Sequence, residues 1–432
     1  MRPAVLLFGG LAVACGPDSL DEQLREVLTT EAIEPLDFGE TPDADLVALG
    51  RALFYDKILS GNRDIACGTC HHPASRTGDD LSLAIGTGGT GSGSGRALGS
   101  GSFMRRNTPE LFNRGVEGWG VAHWDGYVEA GEPWPFPSSV DTPDEVQDDA
   151  LAVQAMIHVA DRTAMRGIPG DFDINGDENT LAYWPDDDLP EIWAELMERL
   201  LANDEYAALF DDAFPRVDAA DLGFEHAALA IAAYEVDAFT FSESLWDLFV
   251  EGDNGAIVDP AKRGALVFYG KGQCSSCHSG SMFSDQQYHN ICTPQLGETD
   301  DWGRGSITRD EEDRYLFRTP PLRNVSFTGP YMHAGSHDSL EDALRHHLNA
   351  CAKMRTYDGD DLPSRFGDLL LQDADLLEEV EKTADEMATE RVDLSQSEVK
   401  DLLQFLESLS DPGVVYMGDL APESVPSGLP VD

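Results

Sequence analysis

Apolar side chains recur along this chain at helical rather than strand spacing. Over residues 41–56, Leu46, Leu49, Leu53 and Phe54 fall on one face of a helix that opens just after Pro42. Residues 259–270 repeat the design, with Asp259 as cap and Pro260 behind it. Helical spacing also runs through about 148–160, 190–212 and 222–248. In 338–350, Ser339 and Asp342 make a capping-box-like start. There Leu340, Ala343, Leu344, His347 and Leu348 share an apolar face, with His346 turned about 100° away. Strand-like alternation is scarce, so the pattern predicts a mainly α fold. The Gly/Ser-rich stretch 85–103 lacks a GK[ST] ending and reads as a loop, not a phosphate cradle. Residues 412–432 read as a disordered acidic tail.

Two of these helices lead into the same pentapeptide, CGTCH at 67–71 and CSSCH at 274–278. The repetition predicts two related domains, 41–250 and 251–411, preceded by a linker at 15–40. C-x-x-C-H is the attachment signature of c-type heme: the thiols add to the heme vinyl groups and the histidine becomes an axial iron ligand. A single copy would also suit a zinc half-site or a redox dithiol; two copies with the histidine in the same place favour heme. Cys67, Cys70 and His71 are thus expected to hold one heme c, and Cys274, Cys277 and His278 a second. No histidine lies between His72 and His123, and Met104 is the only thioether in that interval. The first iron is therefore expected to keep an open position for a small oxidant. For the second iron, the apolar helix face favours His347 over His346 as the opposite ligand.

Charge narrows the partners. The 432 residues include 29 basic and 80 acidic side chains, a net charge of −51. That argues against nucleic acid or an anionic membrane face and leaves a basic partner protein or saline surroundings. Residues 1–14 read as an export signal, and LAVAC places Cys15 as the lipid-bearing first residue of a mature chain. No later apolar run is long enough to span a bilayer. The expected location is periplasmic, with the membrane reached only through a lipid anchor. Of the 7 cysteines, Cys292 and Cys351 are left over, and an oxidising compartment can join them.

Several stretches together resemble the bacterial di-heme cytochrome c peroxidase/MauG family. They are CGTCH, RRNTPELFN (105–113), HWDG (123–126), CSSCH, SDQQYHNI (284–291), FRTPPLRNVSFTGPYMHAG (317–335) and SLEDALRHH (339–347). The resemblance implies two cytochrome-c-like helical domains with one heme each, and use of hydrogen peroxide at the N-terminal heme. It implies an electron-relay role for Trp124, a place near the hemes for His333, and one calcium held by Asn107, Thr328 and Pro330, whose oxygen donors suit that ion. Counting from PYMH, the second heme's distal ligand falls on His347, where the family usually has Met or Tyr; bis-His ligation implies a lower potential. The family's acid–base Glu is replaced by Ala164, with Asp161 the nearest acid in sequence. DFDINGDEN (171–179) resembles a calcium loop but lacks the closing Glu, position twelve being Ala182. Three functions follow: a peroxidase fed by a small electron-donor protein, a MauG-like enzyme oxidising Trp or Tyr of a partner protein, or a non-catalytic electron carrier.

Overall fold

The computed structural model describes residues 19–131, 143–360 and 362–432; the signal segment and Cys15 lie outside them. The architecture is mainly helical, and the strands are two-residue antiparallel ladders. Seven helices position the sites: α1 (Leu20–Thr30), α2 (Ala44–Tyr55), α3 (Ala150–His158), α4 (Phe224–Ala238), α5 (Asp259–Tyr269), α6 (Leu340–His347) and α7 (Gln396–Ser408). Asp43 caps α2 by accepting from the N–H groups of Asp45 and Leu46, and Ser395 caps α7 in a reciprocal box with Glu398.

Two cores are built the same way. In the first, α2 crosses α4, burying Leu49, Leu53 and Phe54 against Ile231 and Tyr234. In the second, α5 crosses α7, burying Ala265 and Phe268 against Leu402 and Phe405. Each crossing is set by a glycine. A Cβ on Gly50 would overlap the Ala230 carbonyl, and one on Gly264 the Asp401 carbonyl, so both helices approach backbone to backbone. A CxxCH turn follows each of these helices, as the sequence predicts.

The chain ends depart from expectation. The 15–40 stretch is not simply a linker: within it α1 buries Leu24 and Leu28, with Ile33, in the second core. Arg25 lies 4.2 Å over the Phe249 ring, and Asp21 pairs with Lys262 at 2.6 Å. Nor is 412–432 a disordered tail. Pro412–Asp419 is helical, and Val414, Met417 and Val425 are buried in the first core. The tail's acids find partners: Asp432 pairs with Lys57 at 2.6 Å and also binds the Thr69 hydroxyl. The reason is local, since apolar residues spaced between the acids give this segment surface to bury. The Gly/Ser-rich 85–103 stretch is likewise ordered. Arg96, 1% exposed, donates to the carbonyls of Ile85, Gly86 and Gly91, each at 2.7 Å.

Cys292 and Cys351 are disulfide-bonded, with Cα atoms 4.9 Å apart. The bridge ties the loop after residue 289 to the helix that follows α6, in a small core with Tyr315 and Met354. The acidic 171–179 loop is a self-capped turn: one Asp173 oxygen accepts from the N–H groups of Asn175 and Asp177, the other pairs with Arg63 at 3.4 Å.

Candidate metal centres

Both CxxCH segments form a tight turn in which the histidine N–H donates back to the first cysteine's carbonyl. The distances are 2.8 Å for His71 to Cys67 and 2.9 Å for His278 to Cys274. In each, the imidazole Nδ1–H donates to a carbonyl a few residues on: Thr77 at 2.9 Å for His71, Phe283 at 3.0 Å for His278. That bond fixes the tautomer and leaves Nε2 as the free ligand atom. Burial lowers both imidazoles to about 4, so they are neutral. Burial likewise pushes the thiols of Cys67, Cys70 and Cys274 up to about 12. None of the four motif cysteines is in a disulfide, and neutral thiols suit vinyl addition better than thiolate ligation of zinc.

The two centres differ on their far sides. The rings of His278 and His347 face each other with centroids 6.3 Å apart. Two imidazoles bound through Nε2 at about 2 Å on opposite sides of one metal would show a spacing of about 6 Å. His347 also donates from Nδ1, to the Ala343 carbonyl at 2.8 Å, so its Nε2 too is the free atom. His346 is otherwise engaged. It is 1% exposed and bonds through Nε2 to the Ile291 carbonyl at 3.0 Å. On α6, Leu344 is buried in the second core with Leu340 and Leu348 against it, His346 is buried toward the Ile291 loop, and His347 turns toward His278. Among the described residues, no ring contact joins His71 to a second imidazole. His72 is a bystander, accepting from the Ala74 N–H at 3.1 Å as a turn cap.

A short hydrogen-bonded chain joins the two halves. The Trp124 indole N–H donates to the Asn107 carbonyl at 3.0 Å, and the Asn107 N–H donates to the His333 carbonyl at 2.7 Å. Arg318, from the C-terminal half, donates its N–H to the Trp124 carbonyl at 2.7 Å. His333 stacks on Phe317 at 3.7 Å, bonds through Nδ1 to the Thr293 hydroxyl at 3.0 Å, and has a buried, unpartnered Nε2. Asn107 spends its side-chain N–H on the Leu81 carbonyl at 2.7 Å, which leaves its side-chain oxygen as a donor to a cation. Pro330 lies against Gly335, and Gly335 against Ser82, so Asn107, Thr328 and Pro330 belong to segments in mutual contact.

Two features escaped the sequence. His123 and His158 have ring centroids 5.0 Å apart, each with a buried, unpartnered nitrogen. Arg106 bridges Asp125 at 2.7 Å and Asp301 at 2.5 Å, joining the two halves. The only sequence signal for the histidines was their type; for the bridge, spanning 195 residues, there was none.

Comparison with known proteins agrees with this geometry. The family model for di-haem cytochrome c peroxidase matches residues 44–255. The methylamine utilization protein MauG of Methylorubrum extorquens is 28% identical over 378 residues, 87% of this chain and 81% of that protein. The cytochrome c551 peroxidase of Pseudomonas aeruginosa is 28% identical over 302 residues, 68% of this chain and 69% of that one. In fold, the chain resembles a MauG-like protein associated with microbial copper homeostasis, with TM-score 0.58 and 23% identity over 88% of this chain and 95% of that one. It also resembles the diheme peroxidase BthA of Burkholderia thailandensis, with TM-score 0.57 and 21% identity over 90% of this chain and 91% of that one. With two CxxCH centres, one faced by a second histidine and one not, the chain belongs to the di-haem cytochrome c peroxidase/MauG family.

Proposed function

We propose that this protein is a periplasmic, lipid-anchored oxidoreductase that uses hydrogen peroxide at its N-terminal centre. Cys67, Cys70 and His71 would hold the first heme c, and Cys274, Cys277, His278 and His347 the second. The hemes supply reversible one-electron iron chemistry and, at the first centre, a site for peroxide. The asymmetry of the centres carries this reading: His347 stands opposite His278, while among the described residues no ring contact is made to His71. A centre with imidazole on both sides stores and passes electrons; one with a free side admits a small oxidant. Trp124, bonded to Asn107 on one side and Arg318 on the other, is the electron path between them. His333 orders that path through the Asn107 N–H. Asn107, Thr328 and Pro330 would hold one calcium, with water completing its shell.

The electrons come from a small donor protein in the peroxidase form of this reading. Two features of this reading lean away from a standard peroxidase, Ala164 at the position of the family's acid–base Glu and His347 as the second centre's further ligand; in the alternative form the oxidising equivalents are drawn from Trp or Tyr of a partner protein. Absorption and EPR spectra of the isolated holoprotein are the test. One high-spin and one low-spin heme, the former reacting with peroxide, is the expected result. Two low-spin hemes inert to peroxide would make the protein an electron carrier. Incubating the product of a neighbouring gene with peroxide and this enzyme then separates the two enzymatic forms.

A further inference from the structure

By the resemblance, Ala164 stands where the family carries the carboxylate that moves protons during peroxide cleavage. Asp161 does not fill the gap, because its carboxylate oxygen accepts the Ala164 N–H at 2.6 Å and caps the turn Arg162–Arg166. Just before this turn, α3 ends on His158. The His158 ring contacts His123 at 5.0 Å, and His123 contacts Tyr127 at 5.5 Å. The turn that follows His158 takes the Thr87 N–H on its Ala164 carbonyl at 2.9 Å, and two residues before Thr87 the Ile85 carbonyl lies 3.9 Å from the Cys70 sulfur, so this group lies beside the first centre. The Nδ1 of His158 and the Nε2 of His123 are buried without a hydrogen-bond partner. A buried unpartnered nitrogen costs stability, and an adjacent pair of them calls for a use.

We propose that His158 is the proton carrier on the open side of the first heme, with His123 as its neighbour in the relay. This rests on the peroxide reading above. His158 takes the proton from one oxygen of hydrogen peroxide and returns it to the other; the O–O bond breaks and that second oxygen leaves as water. The two electrons taken up in that cleavage would come from the hemes and be replaced by the donor or substrate protein, and two further protons turn the remaining oxygen into the second water. Among the described residues no ring contact joins His158 to His71, whereas the His347 ring lies 6.3 Å from that of His278, so the proposal gives His158 the proton and not the iron. Electrostatics places it in the same pocket: burial is the main cause lowering His71, and His158 adds to it. His123 is lowered well below its ordinary value by burial first, and then by His158 among its charged neighbours. Burial keeps His158 itself neutral, able to accept a proton, while Asp161 pulls the other way and favours the protonated form once made.

Hydrogen cyanide tests the transfer without redox chemistry, since it must lose a proton as it binds. In the holoprotein, His158→Gln should slow both cyanide binding and the first heme's reaction with peroxide by about 10²-fold or more. The high-spin EPR signal should stay unchanged. His158→Glu, which restores a carboxylate, should recover most of both rates. An unaltered low-spin spectrum of the second heme in each variant certifies the fold. Unchanged cyanide and peroxide rates in His158→Gln would overturn the assignment. So would a new high-spin signal, which would make His158 a ligand. A wild-type protein that binds cyanide through His158 yet ignores peroxide would retain the proton carrier and sink the peroxide reading instead.

Discussion

At the residue scale, two neighbouring histidines do different work. His347→Ala should turn the second heme high-spin, because it removes the imidazole opposite His278. His346→Ala should leave it low-spin, because that ring is spent on the Ile291 carbonyl. EPR of the two holoproteins decides, and a spin change in His346→Ala alone would reverse the assignment. The helix periodicity pointed to His347 through the face on which Leu340, Leu344 and Leu348 meet the second core; what it did not contain is the loop carbonyl that occupies His346, a long-range contact. Trp124 is tested by size and oxidisability. Trp124→Ala should leave cyanide binding at the first heme near wild type but uncouple the second from peroxide, and Trp124→Phe should do the same more weakly. A merely structural Trp124 would lose about 3–5 kcal/mol as Ala and be rescued by Phe. Stopped-flow absorbance with melting curves separates the two, and full activity in Trp124→Phe would leave it as packing.

At the element scale, the paired crossings of α2 with α4 and α5 with α7 hold each CxxCH turn in place. Gly50→Val or Gly264→Val would drive a side chain into the facing carbonyl. Each should cost about 1–3 kcal/mol or more. Each should also lower occupancy of the heme in its own half before the other, as measured by pyridine hemochrome and melting. The helices were legible because their caps and apolar spacing are local, and so was the repeated helix–CxxCH design. The glycines' purpose was not, since it depends on which helix lies opposite. The Cys292–Cys351 bridge contributes by about 2–4 kcal/mol. The unreduced, unfolded holoprotein should show no free thiol from this pair, and Cys351→Ser should free one, namely Cys292.

At the scale of the whole molecule, Arg106 clamps the halves through Asp125 and Asp301. Burial would raise the Asp301 carboxyl, but Arg106 outweighs it and holds the group well below the usual carboxylate range. Its folded pKa being depressed, the stability it contributes is complete above the ordinary aspartate value. It is lost as pH falls below about 4 toward the folded pKa. Arg106→Met should therefore destabilise by about 3–5 kcal/mol at neutral pH, by stranding two buried carboxylates. The gap from wild type should narrow in acid; melting curves at pH 3 and pH 7 measure it, and a gap unchanged by pH would reject the clamp. Nothing in the sequence joined Arg106 to Asp301. The same blindness to long range made α1 look like a linker and 412–432 like a tail, since composition reports what a segment lacks and not where its few apolar residues can dock.

Those two ends carry a consequence for how the molecule is made. The earliest described helix, α1, completes the second core, and Val414, Met417 and Val425 complete the first. Each half is therefore finished by the opposite end of the chain, like two parcels tied with one string. As the chain is made, the first half emerges early, yet its core is complete only once Val414, Met417 and Val425 have followed. The arrangement also means that 41–250 cut out alone would lack Val414, Met417 and Val425 from its core, and 251–411 alone would lack Leu24, Leu28 and Ile33.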